Sequence, residues 1–183
     1  AAFHLGLPAA DLDPLAGLQR VAAGNARAAR EAGLPAARVR HLTAQTEAAL
    51  LARAPWFADR RRAGFVRRAH GDLHLGNICL WQGRPVLFDA LEFDEAMATI
   101  DLGYDLAFLL MDLDHRVGRG AANAVLNRYV ARTGDAGLTA GLAPFISLRA
   151  MVRAHVRKAA GGEDWAPYLD LAEQALRPQP RLV

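Results

Sequence analysis

Apolar residues recur at helical spacing along most of the chain. Leu15, Leu18 and Val21 follow this period and predict a helix over residues 14–32, which Gly33 ends. Further helices are predicted over 35–54, 100–113, 121–133, 138–159 and 164–176. Pro55 is expected to break or bend the second helix. The stretch 59–62 is expected to be charged and exposed.

One region departs from the helical pattern. A short extended run near Phe65 leads into a turn-rich segment, His70 to Asn77. A strand, a tight turn and a returning strand are predicted over 78–81, 82–84 and 85–88. The chain is therefore expected to be mostly α, of the α+β class, with one small β-hairpin.

The composition is that of an ordinary globular domain. Of 183 residues, 52% are apolar and 22% are charged, and a chain of this length buries roughly 70% of its unfolded surface. The single cysteine, Cys79, excludes a disulfide or a cysteine metal cluster within these residues, and its apolar strand predicts a buried side chain. Without a signal-peptide pattern or an apolar run of about 18 residues, we expect a cytoplasmic protein.

The charge pattern narrows the function classes. The sequence holds 22 basic and 19 acidic residues, a net charge of +3, and Lys158 is its only lysine. The arginines are scattered, with few aromatic residues between them, so neither nucleic acid nor a membrane is an expected partner. Because no Gly-Lys pair exists, the chain contains no GxxxxGK[ST] phosphate loop.

Polar residues flank the predicted hairpin. Asn77 precedes its first strand and Asp89 follows its second, so a tight turn brings these two residues to one place. An amide oxygen beside a carboxylate suits Mg²⁺. Asp72, next to Gly71, could orient and deprotonate an alcohol, as phosphoryl transfer requires. Asp and Asn also favour tight turns, but all three flanking one hairpin favours a site.

Three motifs then resemble a known family. HGDLHLGN (70–77), VLFD (86–89) and IDLGYDLA (100–107) resemble the aminoglycoside phosphotransferase and choline kinase-like family of the protein-kinase-like fold. The resemblance covers nearly the whole chain, as the C-terminal lobe of that fold. The runs 84–112 and 147–154 are similar to uncharacterised bacterial proteins in which a kinase lobe can precede a P-loop ATPase domain.

The resemblance implies a role for each residue that matches the motifs. Asp72 would be the catalytic base, and Asn77 and Asp89 would bind Mg²⁺ and, through it, the phosphates of ATP. Asp105 would hold the backbone of the catalytic loop, with Asp101 on the same helix face. His70 would be structural, a packing residue beneath the loop.

Other residues are candidates for contact with substrate. They are His74, Glu92, Asp94, Arg149 and Arg153. His74 either faces the substrate or solvates the loop. The two acidic residues either meet a cationic substrate or form an exposed acidic loop. The two arginines, with Arg157, recur every four residues, so they either grip a phosphate or acidic substrate or lie on the surface by chance.

The resemblance also implies how the chain is organised. The expected parts are the end of an interlobe segment (1–13), helices (14–64), the catalytic loop and metal hairpin (65–95) and a helical subdomain (96–177). The N-terminal lobe of such enzymes carries a glycine-rich strand pair and a lysine, and neither precedes the first long helix here. We therefore expect a C-terminal lobe cut from a longer protein, with little or no turnover alone. The alternative is a natural single-lobe protein.

Two functions remain open. The first is an ATP- and Mg²⁺-dependent kinase that transfers the γ-phosphoryl group to the hydroxyl of an aminoglycoside-like or other small alcohol. The alternative is a non-catalytic, nucleotide-sensing or scaffold module attached to another domain. The expected partners are the small acceptor, the N-terminal lobe and a downstream P-loop domain.

Overall fold

The computed structural model describes residues 1–92 and 94–177. The helices are α1 (Ala2–Leu5), α2 (Pro14–Glu31), α3 (Ala36–Leu51), α4 (Ala54–Arg62), α5 (Glu95–Ala98), α6 (Leu102–Arg116), α7 (Arg119–Thr133), α8 (Leu142–Ala159) and α9 (Ala166–Leu176). The strands are β1 (Val66–Arg68), β2 (Ile78–Trp81), β3 (Arg84–Leu87) and β4 (Thr99–Asp101), and short 3₁₀ turns span Leu75–Asn77 and Ala136–Gly141. The expectation of a mostly helical chain is confirmed.

The start of α2 shows why the first long helix forms where the pattern predicts it. Asp13 caps the helix by accepting the Leu15 N–H at 3.0 Å, and Pro14 occupies the first helical position, which needs no amide hydrogen. At the other end, Gly33 adopts a φ of 79° that glycine tolerates.

Helix α4 confirms one expectation and corrects another. The second predicted helix is broken near Pro55, which lies in the first turn of the separate helix α4. Arg60 within α4 is buried, although 59–62 was expected to be exposed. Its guanidinium donates to Asp101 at 2.5 and 2.9 Å and to Asp135 at 2.8 and 2.9 Å. A buried charge is tolerated when it is paired in this way.

Residues before and after the hairpin in the chain pair as a two-stranded sheet. Strands β1 and β4 are antiparallel, with Val66 opposite Asp101. The helix expected from residue 100 therefore begins later, at Leu102, where Asp101 caps it by accepting the Gly103 N–H at 2.7 Å. The region 96–177, expected to be helical, thus contains the short strand β4.

The predicted hairpin is confirmed as strands β2 and β3. Ile78 lies opposite Leu87, and positive φ values at Gln82 and Gly83 close the turn. The hairpin is a two-stranded sheet of its own, and the outer part of β2 is exposed. Cys79 is consequently exposed, so the expectation that it is buried was wrong.

The principal core lies between α2, α3, α6, α8 and α9. Phe108 and Met111 of α6 pack there with Met151 of α8 and Leu169 of α9, all nearly inaccessible to solvent. Helix α8 begins at Leu142, later than expected, because residues 136–141 form a 3₁₀ turn. In the described part of the chain, no helix is long and apolar enough to cross a membrane.

Candidate active site

The loop after β1 is fixed from below by one carboxylate. Asp105, in the first turn of α6, is fully buried and accepts the backbone N–H groups of His70 at 3.1 Å and Gly71 at 2.9 Å. The β1–β4 pairing brings this turn of α6 beneath the loop. Gly71 has a φ of 80°, and a Cβ there would lie 2.6 Å from Leu91 Cδ1, so the position favours glycine.

Two more groups approach the Asp105 carboxylate. His4 Nε2 donates to Oδ2 at 3.0 Å, and the other nitrogen of His4 is bonded to the hydroxyl of Tyr129 at 2.9 Å. Arg149 Nη2 lies 4.0 Å from Oδ1. Asp105 thus links α1 and the loop directly and α7 through His4, and the positive charge of Arg149 on α8 lies close to it.

Asp72 lies on the open side of the same loop. Its carboxylate is 36% exposed, and Oδ2 accepts the Asn77 side-chain amide at 3.0 Å. Burial raises the pKa of the Asp72 carboxyl, but pairing with His74, the charge of Arg149 and the Asn77 amide outweigh it and hold that pKa below its usual range. Asp72 is therefore ionised at neutral pH and reachable from solvent.

His74 matches neither arrangement considered from the sequence. Its side chain is only 13% exposed, and Nε2 lies 3.4 Å from Asp72 Oδ2. Nδ1 accepts the Gly76 N–H at 3.0 Å, and the ring meets Phe108 edge-on at 5.2 Å between centroids. His74 is turned inward, against Asp72 and the helix beneath it.

Asn77 and Asp89 lie at the open end of the hairpin. Asn77 is buried, and its backbone carbonyl accepts the Phe88 N–H at 3.1 Å. This bond places Asp89, the residue after Phe88, close to Asn77. Asp89 is exposed, with a φ of 59° that Asp adopts more readily than most residues. Both Asn77 amide hydrogens point at Asp72 atoms, and among the described residues nothing donates to its Oδ1.

This donor set fits Mg²⁺ better than a metal that requires many protein ligands. Residues 1–92 and 94–177 contain no group of three His, Cys, Asp or Glu side chains that could hold a metal ion. Mg²⁺ uses one or two carboxylates and otherwise binds water and substrate phosphates. An amide oxygen from Asn77 with the carboxylate of Asp89 is compatible with such a site.

His70 lies beneath the loop, inaccessible to solvent. Its Nε2 donates to the carbonyl of Phe88 at 2.9 Å, and its backbone carbonyl accepts the Leu91 N–H at 2.9 Å. His70 therefore links the loop to the segment on either side of Asp89. Asp101, the third residue assigned a structural role, caps α6 and binds Arg60.

Arg149 and Arg153 of α8 point into the protein, whereas Arg157 is partly exposed and pairs with Asp164. Arg149 is 6% exposed, donates to the carbonyl of Tyr104 at 3.2 Å and lies 3.7 Å above the Tyr104 ring. Arg153 stands 3.8 Å from the buried carboxylate of Asp112. These contacts place the two arginines behind the loop. Of the two alternatives that the sequence left open, a chance position on the surface does not hold for Arg149, because acidic and aromatic residues of α6 surround it.

Asp112 is a residue of the site that the sequence reasoning missed. It is fully buried and accepts the Leu75 N–H of the loop at 3.0 Å. Its position seven residues after Asp105 places both acids on one face of α6. That spacing could have identified Asp112 as a second support.

The remaining candidates lie after Asp89. Glu92 is exposed. Asp94 caps α5, where its Oδ1 accepts the Met97 N–H at 3.1 Å. The structure thus brings Asp72, His74 and Asn77 into contact and places Asp89 beside them. It leaves the two later acids on the adjoining segment.

Comparison with known proteins gives two kinds of match. The model of a family described as the phosphotransferase enzyme family matches residues 1–144. Uncharacterized proteins of two Mycobacterium tuberculosis strains and of Mycobacterium bovis are 36% identical over 100 residues, 55% of this chain and 20% of each relative. The chain thus spans about a fifth of the length of these curated relatives. No solved structure gave a significant match.

Proposed function

Because this chain belongs to the phosphotransferase enzyme family, we propose that it carries the catalytic loop of an ATP-dependent small-molecule kinase. The γ-phosphoryl group of ATP is transferred to a hydroxyl group. The observation that carries the proposal is the contact between the Asp72 carboxylate and the Asn77 amide at 3.0 Å, beside Asp89. A base and a metal-ligand pair in one place are the parts that phosphoryl transfer requires.

In this proposal Asp72 is the catalytic base. Its lowered pKa keeps the carboxylate ionised at neutral pH, and its exposed fraction lets a substrate hydroxyl approach. The backbone on either side is held by Asp105 and Asp112. A loop fixed at several points keeps the base in position, and positioning supplies much of the rate in such reactions.

Asn77 and Asp89 are the proposed ligands of Mg²⁺. Asn77 is oriented by its bonds to Asp72, and the hairpin fixes Asp89 relative to Asn77. When bound, Mg²⁺ supplies positive charge that offsets the charge of the ATP phosphates during transfer. The residues themselves contribute oxygen ligands held by a rigid turn.

We further propose that the chain is the C-terminal lobe of a protein-kinase-like enzyme. The acceptor is an aminoglycoside-like molecule or another small alcohol. Glu92 and Asp94 follow the metal hairpin and are proposed to meet a cationic group on that acceptor. A partner lobe with the nucleotide-binding lysine completes the enzyme, because no lysine precedes Lys158.

The test is phosphorus-31 NMR on the full-length protein that contains this chain. It is incubated with Mg·ATP and a panel of aminoglycosides, amino alcohols and sugars. We expect a phosphate-ester resonance to appear with one of the acceptors as ADP forms. Saturable ATP binding without formation of ADP or of an ester would favour the nucleotide-sensing module. The absence of a lysine before Lys158 also favours that module. Absence of both binding and transfer would contradict the kinase and the nucleotide-sensing module alike.

A further inference from the structure

The two oxygens of the Asp72 carboxylate have different surroundings. Oδ2 accepts the Asn77 amide at 3.0 Å and faces His74 Nε2 at 3.4 Å. Within residues 1–92 and 94–177, Oδ1 receives no hydrogen bond. Two groups therefore share one oxygen, and the other remains available to a substrate.

The protonation of His74 follows from its second contact. Nδ1 accepts a hydrogen bond from the Gly76 backbone N–H, which can only donate. Nδ1 therefore carries no hydrogen, and the hydrogen of the neutral ring is on Nε2, the nitrogen that lies 3.4 Å from Asp72 Oδ2. Long contacts between catalytic groups are common in free enzymes and often shorten when substrate binds.

The position of the His74 ring is defined by its neighbours. A Cβ at Gly76 would lie 2.7 Å from His74 Cε1 and 2.9 Å from Nδ1, so the glycine makes room for the ring. Phe108 supports the ring from α6, at 5.2 Å between centroids. The ring is thus held in one orientation, with Nε2 towards the carboxylate.

We propose that His74 is a positioning residue, which together with Asn77 holds Oδ2 of Asp72 so that Oδ1 is the oxygen that takes the substrate proton. This inference rests on the proposed function. As the substrate oxygen bonds to the γ-phosphorus and ADP leaves, the substrate O–H bond breaks and its proton moves to Oδ1. His74 touches neither substrate nor nucleotide in this step.

Two substitutions separate the contacts of His74. The amide of His74→Asn can accept from Gly76 but is too short to reach Asp72. The amide of His74→Gln can donate to Asp72 but does not place an acceptor at the Nδ1 position. In the full-length protein, with the acceptor that reacts fastest in the panel, we expect H74N to lower kcat about 10- to 100-fold. Its KM for ATP and its Tm should change little, and H74Q should restore most of kcat despite a lower Tm.

The opposite ranking of the two variants by kcat would overturn the inference. If H74N keeps the wild-type kcat while H74Q loses it, His74 acts only through its contact with Gly76. Asp72→Asn is measured in parallel: an active D72N refutes the proposed function itself, whereas an inactive D72N with a fully active H74N refutes the inference alone. The exposed His41→Asn is the control for a histidine remote from the loop.

A second measurement needs no acceptor. Long-range ¹⁵N–¹H NMR of this chain, recorded at rising pH until the ring signals no longer change, reports which nitrogen of the neutral His74 ring carries hydrogen. The inference requires the hydrogen on Nε2 and a bare Nδ1. A neutral His74 with its hydrogen on Nδ1 would contradict it.

Discussion

The carboxylate of Asp105 accepts the backbone N–H of Gly71 at 2.9 Å, from a position that solvent does not reach. This bond joins the first turn of α6 to the loop that carries Asp72. The conformation of the proposed catalytic loop therefore depends on a residue that touches no substrate.

Removal of this carboxylate should be costly. Asp105→Ala leaves two buried N–H groups without an acceptor and deprives Arg149 of its nearest negative charge, so we expect a loss of about 3–5 kcal/mol in the free energy of unfolding. Urea denaturation of the chain measures this loss. Asp114 lies on the same helix but is partly exposed, so Asp114→Ala should lower the free energy of unfolding by less than about 1 kcal/mol. Equal losses in the two variants would contradict the role of Asp105.

Arg60 should stabilise the fold in a pH-dependent way. Arg60→Met leaves Asp101 and Asp135 buried without a cation, at an expected cost of about 3–5 kcal/mol near neutral pH. Burial already raises the pKa of Asp101 despite Arg60, and loss of Arg60 raises it further. When the pKa of a carboxyl is higher in the folded state than in the unfolded state, the folded protein loses stability as pH rises through the folded-state pKa. The difference in Tm between wild type and R60M should therefore be smaller at about pH 4.5 than at about pH 7.5.

The neighbouring arginine is a matched control. Arg61 pairs with Asp11 on the surface, where the Asp11 carboxylate is 88% exposed, so Arg61→Met should cost less than about 1 kcal/mol. A constant difference in Tm across this pH range for R60M would show that the buried carboxylates do not respond to loss of Arg60.

Gly71 should be more sensitive to substitution than another glycine with the same backbone conformation. Gly71 and Gly83 have φ values of 80° and 74°, but an added Cβ meets Leu91 only at Gly71 and nothing within 4 Å at Gly83. Both alanine variants pay about 1–2 kcal/mol for the left-handed conformation. Urea denaturation should show Gly71→Ala to be less stable than Gly83→Ala by at least about 1 kcal/mol. Equal stabilities would mean that Leu91 moves aside freely.

Cys79 should react in the folded protein. Because its side chain is exposed on β2, we expect one thiol per chain to react with a chromogenic disulfide reagent in the absence of denaturant. Cys79→Ser should give no signal. Reaction only after addition of urea would show that the thiol is covered in solution.

The sequence predicted the parts of the site that depend on local geometry. The hairpin follows from the turn at Gln82 and Gly83, and its register brings Asn77 and Asp89 to the same end. Asp72 and Asn77 are five residues apart, so a short loop suffices for their contact. These features need little information from the rest of the chain.

The other features depend on residues that are distant in sequence. Arg60 is buried because Asp101 and Asp135, which lie 41 and 75 positions further on, surround it. Strand β4 exists because it pairs with β1, and its three residues carry too weak a pattern to be recognised alone. The inward orientation of His74 likewise depends on Phe108 of α6.

The central claim, that Asp72 is the base of a phosphotransferase, is tested most directly by steady-state phosphoryl transfer from Mg·ATP in the full-length protein. Asp72→Asn keeps the shape of the side chain and removes its ability to take a proton. We expect the rate to fall about 10²- to 10⁴-fold, with little change in Tm. Asp59→Asn, at an exposed position on α4, should retain the wild-type rate. A D72N protein that transfers phosphate as fast as wild type would contradict the account.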